Sequence, residues 1–191
     1  MSTVRNTSQH KDHSVEAASA ARHLQKTRQL IAAGDCDAAL HQLGQHSDPE
    51  SRNLRGICLM RTGRTEQAVQ LYRLLLLDVT GNVRTGSSDE VVINFATALL
   101  ISGRPAGCLD ILWNVKDRTL PAYLQLKSAI DKWSRTLPLW ARLNWVLGKL
   151  QPDPCIVPID FPPGILTSES IGGTDSAAGR PAVAESQKII A

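Results

Sequence analysis

The sequence predicts an all-α protein built from antiparallel helix hairpins stacked on one another. Three observations lead to this fold class. Apolar residues recur at helical spacing through residues 15–150, three glycines each separate two such periodic stretches, and the residues around those glycines are alike. Most of the prolines follow residue 150, so the helical region is expected to end there.

Composition divides the chain into four parts. Residues 1–14 are polar and are expected to form a disordered tail, and residues 15–150 form the helical repeat domain. Residues 151–166 are expected to be an extended proline-rich segment. Residues 167–191, rich in Ser, Gly, Thr and Ala, are expected to be a second disordered tail.

The first three helices follow from their end signals. A first helix is predicted to end at Gly34, and a short second helix follows Asp35. Asp48 and Pro49 predict the N-cap and first residue of a third helix, which ends at Gly63.

The next three helices surround a polar loop. Thr65 is predicted to cap the fourth helix, and the loop 80–89 separates it from a fifth helix over residues 91–102. A sixth helix is predicted over residues 104–115, with Pro105 in its first turn.

A Thr-Leu-Pro sequence occurs twice near the end of the helical region, at residues 119–121 and 136–138. With each Thr as an N-cap, it predicts helices over residues 120–134 and 137–150. These would form a last hairpin that caps the stack. The alternative is one long helix kinked at Pro138.

The repeated unit is defined by the residues around Gly34, Gly63 and Gly103. A glycine between two helices permits the left-handed turn of a hairpin, and a small residue lets the second helix pack closely. Each glycine has a large apolar residue four positions before it, a small residue five after it and a large residue nine after it: Leu30, Leu59 and Leu99; Ala39, Ala68 and Cys108; Leu43, Tyr72 and Leu112.

This pattern resembles the tetratricopeptide repeat (TPR) family. The middle unit carries the resemblance best, through Gly56, Leu59, Gly63, Ala68 and Tyr72, and the likeness covers about residues 18–115. The resemblance implies a short right-handed solenoid ending in a capping hairpin. It also implies a non-enzymatic scaffold or adaptor that binds a peptide or a partner subunit.

In that family, the first helices of successive hairpins line a concave face that binds extended peptides. The resemblance places four candidate partner-binding residues there: Arg28, Asn53, Asn94 and Thr97. Asn94 stands where relatives that grip a terminal carboxylate carry an Asn. The remaining polar residues of that clamp are missing, so a carboxylate clamp is not expected.

The terminal hairpin supplies an alternative function. Residues 104–150 contain eight Lys and Arg against three Asp and Glu. Arg135, Arg142 and Lys149 follow one another at intervals of seven, interleaved with tryptophans. This pattern is typical of a surface for nucleic acid or another polyanion. The other interpretation is a solvated charged face over a Trp core.

Other classes of protein are not expected. The four cysteines are far apart without a CxxC pair, which argues against zinc or a disulfide scaffold and favours a cytoplasmic protein with reduced thiols. No apolar run approaches the length of a membrane span, so no membrane partner is expected. No acid–base pair or phosphate loop is found, so we expect no catalytic residue, cofactor or metal. The oligomeric state stays open.

The segment 154–166 is apolar, proline-rich and unsuited to a helix. We expect it to pack on its own solenoid through Ile156, Val157, Ile159 and Phe161, on the terminal hairpin. The alternative is a linear motif that binds another protein.

Overall fold

The computed structural model describes the backbone of residues 6–166 and the side chains of residues 18–166. In this part of the chain the fold is all-α, as predicted, and no helix has the length and apolar character needed to cross a membrane. The eight helices are α1 (Asn6–Ala32), α2 (Cys36–Leu43), α3 (Pro49–Arg61), α4 (Thr65–Leu76), α5 (Asp89–Ile101), α6 (Pro105–Leu112), α7 (Pro121–Thr136) and α8 (Leu139–Gly148).

The odd-numbered helices form a layer of their own. In chain order, α1, α3, α5 and α7 contact one another. Among the described helices, each even-numbered helix contacts only its neighbours along the chain. The even-numbered helices therefore cover one side of the odd-numbered layer, and its other side is left for further contacts.

The three hairpin glycines adopt the left-handed conformation that the sequence predicts. Gly34, Gly63 and Gly103 have φ of 86°, 76° and 78°. In each turn the amide after the glycine donates to the carbonyl four residues before the glycine, which satisfies a helix-end carbonyl. These bonds run from Asp35 to Leu30, Arg64 to Leu59 and Arg104 to Leu99, at 2.9, 2.8 and 2.9 Å.

The repeat positions form the core. The small residues five positions after the glycines are fully buried. The large residues nine positions after the glycines are fully or almost fully buried. Tyr72 of α4 packs against Phe95 of α5 with ring centroids 6.1 Å apart. Each hairpin thus buries its apolar face against the next one.

The predicted cap of α3 is confirmed, and three others are wrong. The Asp48 side chain accepts a hydrogen bond from the Ser51 amide at 2.8 Å, and Pro49 is the first helical residue. The N-caps of α4, α7 and α8 make no side-chain cap hydrogen bond and are not the expected threonines: they are Arg64, Leu120 and Pro138 instead of Thr65, Thr119 and Thr136.

Proline explains two of those three errors. The residue before a proline is held extended, and Leu120 and Leu137 have ψ of 131° and 142°. Each helix therefore begins too far along the chain for the threonine to be its N-cap. The Thr119 hydroxyl donates to Asp117 instead, at 2.6 Å. The extended Leu137 also separates α7 from α8, so the long kinked helix does not form.

The first helix is longer than the sequence suggested. It begins at Asn6, inside the stretch 1–14 that was predicted to be a tail, and no Pro or Gly interrupts it before Ala32. The second predicted tail, residues 167–191, lies outside the described residues.

Replacing a helical glycine by alanine is expected to have opposite effects on stability at Gly56 and at Gly107. At Gly56 a Cβ would overlap the buried Tyr72 ring, whereas at Gly107 it would meet Leu99 at an ordinary 3.7 Å. We expect Gly56→Ala to lower the free energy of unfolding by about 1–3 kcal/mol through overpacking. We expect Gly107→Ala to raise it by about 0.5–1 kcal/mol. Urea denaturation measures both, and a loss at Gly107 equal to that at Gly56 would contradict the packing described.

Candidate functional site

The free side of the odd-numbered layer holds the chain's own segment 151–166. The segment starts near the α5–α6 turn, where the Gln151 side chain donates to the Gly103 carbonyl at 2.7 Å. It passes α7, where Asp160 lies 3.5 Å from Lys132, and ends across α5 and α3. The segment contacts the terminal hairpin as expected, but its backbone hydrogen bonds go to α3 and α5.

Asn94, in the middle of α5, binds the backbone of the segment. Its Oδ1 accepts the amide proton of Ile165 at 2.7 Å, and its Nδ2 donates to the Ile165 carbonyl at 3.2 Å. One side-chain amide thus takes both backbone polar groups of one residue. This contact replaces the strand partner that an extended backbone otherwise needs.

A buried network fixes the orientation of Asn94. Its Nδ2 also donates to Oδ1 of Asn53 at 3.0 Å, and Nδ2 of Asn53 donates to Glu90 at 2.9 Å. The Tyr72 hydroxyl donates to Asn53 within 3.0–3.1 Å. Burial, with Glu90 and Cys58 nearby, raises the pKa of Tyr72 well above its ordinary value, so the hydroxyl remains a donor.

Arg61, at the end of α3, makes the second backbone contact. Its guanidinium donates to the carbonyls of Pro163 and Gly164 at 3.0 and 3.3 Å, and to the Ile31 carbonyl of α1 at 2.8 Å. It therefore ties the end of one helix to the segment. Sequence reasoning missed Arg61, although a signal existed: the equivalent positions two before the other glycines hold Ala32 and Ile101.

Two glycines allow the segment to approach closely. A Cβ on Gly164, whose φ is 87°, would stand 2.8 Å from a methyl carbon of Ile57 in α3. A Cβ on Gly103 would stand 2.5 Å from the carbonyl oxygen of Cys155. Both positions therefore require glycine for the contact as well as for the backbone conformation.

The apolar anchors of the segment differ in part from those expected. Val157 is buried, and Ile159 and Phe161 are partly buried against the core. Ile156 is 79% exposed, so its predicted contact is wrong. Phe161 also borders a cavity of about 440 Å³, which reaches Glu90 and Thr97 of α5 and the start of α7.

Three of the four residues predicted for the concave face lie close together beneath the segment, and the fourth, Arg28, lies next to them. Asn53, Asn94 and Thr97 are buried, and the Thr97 hydroxyl donates within α5 to Ile93. Arg28 pairs with Glu50 at 2.8 Å and borders a second, polar cavity of about 310 Å³ shared with Asn53.

The predicted residues of the terminal hairpin lie elsewhere. Arg135, Arg142 and Lys149 are exposed, and the Lys149 ammonium lies 5.2 Å from the centre of the Trp145 ring. Trp133 and Trp145 are core residues in edge contact at 5.0 Å.

The Cys58 and Cys108 thiols are buried in the core and contribute to its packing. Burial, with the Cys36 thiol beside it, raises the pKa of Cys58 to about 12, and burial raises the pKa of Cys108 well above its usual range. Such thiols are almost entirely protonated near neutrality and are poor nucleophiles. Among residues with described side chains, no cluster of three or more His, Cys, Asp or Glu could hold a metal ion.

No protein-family model, no curated protein and no solved structure matches this chain.

Cys155 offers a direct measure of segment docking. Burial raises the pKa of its thiol, so release of the segment should speed its alkylation. We expect Gly103→Ala, which collides with the Cys155 carbonyl, to raise the alkylation rate at pH 8 by at least about threefold. Mass spectrometry of the peptides measures each cysteine separately.

Gly63→Ala is the matched control. Its φ is 76° against 78° at Gly103, but nothing lies within 4 Å of the added Cβ. The backbone strain is therefore the same, and Cys155 should react at the wild-type rate. Equal acceleration in both variants, or faster reaction of Cys58 and Cys108 as well, would indicate general loosening and contradict specific docking.

Proposed function

We propose that this chain is a non-enzymatic interaction module, a TPR-like right-handed helical solenoid that binds an extended peptide of a partner protein. The groove, defined here as the face around Asn53, Ile57, Arg61, Asn94 and Thr97, is the proposed binding site. The paired hydrogen bonds between Asn94 and the backbone of Ile165 carry this proposal.

The proposed solenoid is supported by contacts that repeat from one hairpin to the next. The Arg after one glycine pairs with the acid three positions after the preceding glycine: Arg64 with Asp37 at 3.4 Å, and Arg104 with Glu66 at 2.8 Å. Exposed pairs of this kind add little stability. Their recurrence supports a common geometry between consecutive hairpins.

Peptide binding is supported by how the groove holds its present occupant. Asn94 and Arg61 contact backbone atoms, which every peptide offers, while Ile57 and the cavity beside Phe161 select for side-chain shape. Backbone hydrogen bonds supply affinity and shaped pockets supply specificity in extended-peptide recognition. The groove therefore suits an extended peptide with a Gly that can sit against Ile57.

The segment 151–166 has the role of an internal ligand in this proposal. Because it is tethered, its effective concentration at the groove is on the order of millimolar, and a partner peptide must compete with it. The polar cavity at Arg28 and Glu50 lies next to Asn53 and offers a partner peptide a contact at charged side chains.

A cytoplasmic location belongs to the same proposal. Cys36, Cys58, Cys108 and Cys155 are free thiols, and reducing compartments keep thiols in this state.

The alternative function, nucleic-acid binding by the terminal hairpin, is favoured by the exposure of Arg135, Arg142 and Lys149. Base stacking needs exposed aromatic faces, and of the three tryptophans in this hairpin Trp140 is exposed whereas Trp133 and Trp145 are buried. Salt-dependent retention on single-stranded RNA is the observation that would favour this alternative.

A peptide supplied in trans tests the groove. Gly164→Ala weakens the internal ligand without changing the groove, because its Cβ meets Ile57 at a strained φ of 87°. We expect a fluorescent wild-type peptide of residues 154–166 to bind the full-length Gly164→Ala chain at least about tenfold more tightly than the wild-type chain, since about 1.4 kcal/mol of lost competition suffices. Fluorescence anisotropy measures this.

Gly81→Ala and Asn94→Leu complete the experiment. Gly81 has φ of 85° with nothing within 4 Å of an added Cβ, so this variant should bind the peptide as the wild type does. Adding Asn94→Leu to Gly164→Ala should abolish the gain, because both backbone hydrogen bonds are lost. Equal affinity of all four chains for the peptide would refute the groove.

A further inference from the structure

The outer face of α8 is apolar, and the described residues leave it exposed. Leu139, Trp140 and Leu147 are 84%, 80% and 77% exposed, and Leu143, Val146 and Leu150 are exposed as well. The five of these residues that lie in α8 follow the spacing of one helical face, and Leu150 comes shortly after the helix ends. Among the described helices α8 contacts only α7, and its one buried side chain is Trp145, on the opposite side. A terminal repeat normally turns a polar face outward, so this face indicates a partner.

Basic residues outnumber acidic ones around this face, and the nearest acids in the sequence are Asp131 and Asp153. Residues 132–150 contain Lys132, Arg135, Arg142 and Lys149, and no Asp or Glu. Of these four basic residues, only Lys132 has a carboxylate of a described residue within 4 Å, that of Asp160 at 3.5 Å. By helical spacing Arg142 lies on a flank of the apolar face, and Lys149 follows directly after the helix, with its ammonium 5.2 Å from the centre of the Trp145 ring. The surface is therefore a Leu- and Trp-rich face with a basic border.

This combination selects among possible occupants. A second copy would bring two basic borders together, and like charges at close range oppose association. Nucleic acid would meet the basic border but would gain nothing from five exposed aliphatic side chains. An anionic lipid surface satisfies both features, because acyl chains receive Leu and Trp while headgroup phosphates attract Arg and Lys.

We propose that α8 lies flat on an anionic lipid surface, with its apolar face inserted at the headgroup boundary. This departs from the expectation of no membrane partner, which considered the length of a span; a helix lying on the surface does not need that length, and the described residues include no spanning helix. The groove lies on α3 and α5 and the lipid surface on α8, so each can be tested without the other.

Co-sedimentation of the full-length protein with large vesicles tests the proposal. We expect binding to vesicles of phosphatidylcholine and phosphatidylglycerol in equal parts, and little binding to phosphatidylcholine alone. Binding should fall in about 0.5 M salt, where screening shortens the reach of the basic border to a few ångströms. Blue-shifted Trp fluorescence on binding should accompany burial of Trp140.

Two double variants with the same change in net charge separate the face from general electrostatics. Leu139→Glu with Leu147→Glu should lower the partition coefficient at least about tenfold, since it removes apolar contact and adds repulsion. Leu74→Glu with Val79→Glu alters residues that are 75% and 104% exposed in another part of the chain, and it should lower the coefficient far less. Circular dichroism checks that both remain helical.

Four results would overturn the proposal. The first three are failure of the wild type to bind anionic vesicles, equal binding to neutral vesicles, and equal losses of binding in both double variants. The fourth is a wild-type protein that does not bind vesicles but forms a dimer, which Leu139→Glu with Leu147→Glu dissociates. The last result would assign the face to a second copy. Retention on RNA without vesicle binding would likewise assign the surface to nucleic acid.

Discussion

The side-chain amide of Asn94 is the contact on which the arrangement of the segment depends. It is fully buried, and all its polar atoms are used: Oδ1 by the Ile165 amide, and Nδ2 by the Ile165 carbonyl and Asn53. A buried amide left partly unpaired is costly, so this network favours one orientation. Tyr72 of α4 fixes Asn53 in turn. Packing of one hairpin on the next therefore sets the orientation of the side chain that binds the segment.

The hairpin turns also shape this surface. Gly103 is needed first for a left-handed turn between α5 and α6, and its missing Cβ then leaves room for the Cys155 carbonyl. The chemically similar turn at Gly63 has open space around it. The glycine that the turn requires at Gly103 is thus also required for docking of the segment. At Gly63 the turn requires glycine but docking does not.

Residue patterns predicted the helices well because helical period, glycine turns and the Asp48 cap are local properties. Caps before proline were misjudged, since the extended residue before Pro121 overrides the preference of Thr119. Asn94 was found through its repeat position, whereas Arg61 was missed because its partners lie about a hundred residues away. Helical spacing does not separate the tryptophans of the terminal hairpin: Trp133 and Trp145 are buried and Trp140 is exposed, because the period identifies a face but not what covers it.

Amide hydrogen exchange at Ile165 measures the hydrogen bond between Asn94 and the segment. Ile165 lies outside every helix, and its amide has Asn94 as its acceptor. We expect exchange at least about tenfold slower than in an unstructured peptide, and loss of that protection in Asn94→Leu while amides inside α5 stay protected. Exchange of Ile165 at the unstructured rate in the wild-type chain, measured by nuclear magnetic resonance, would contradict this expectation.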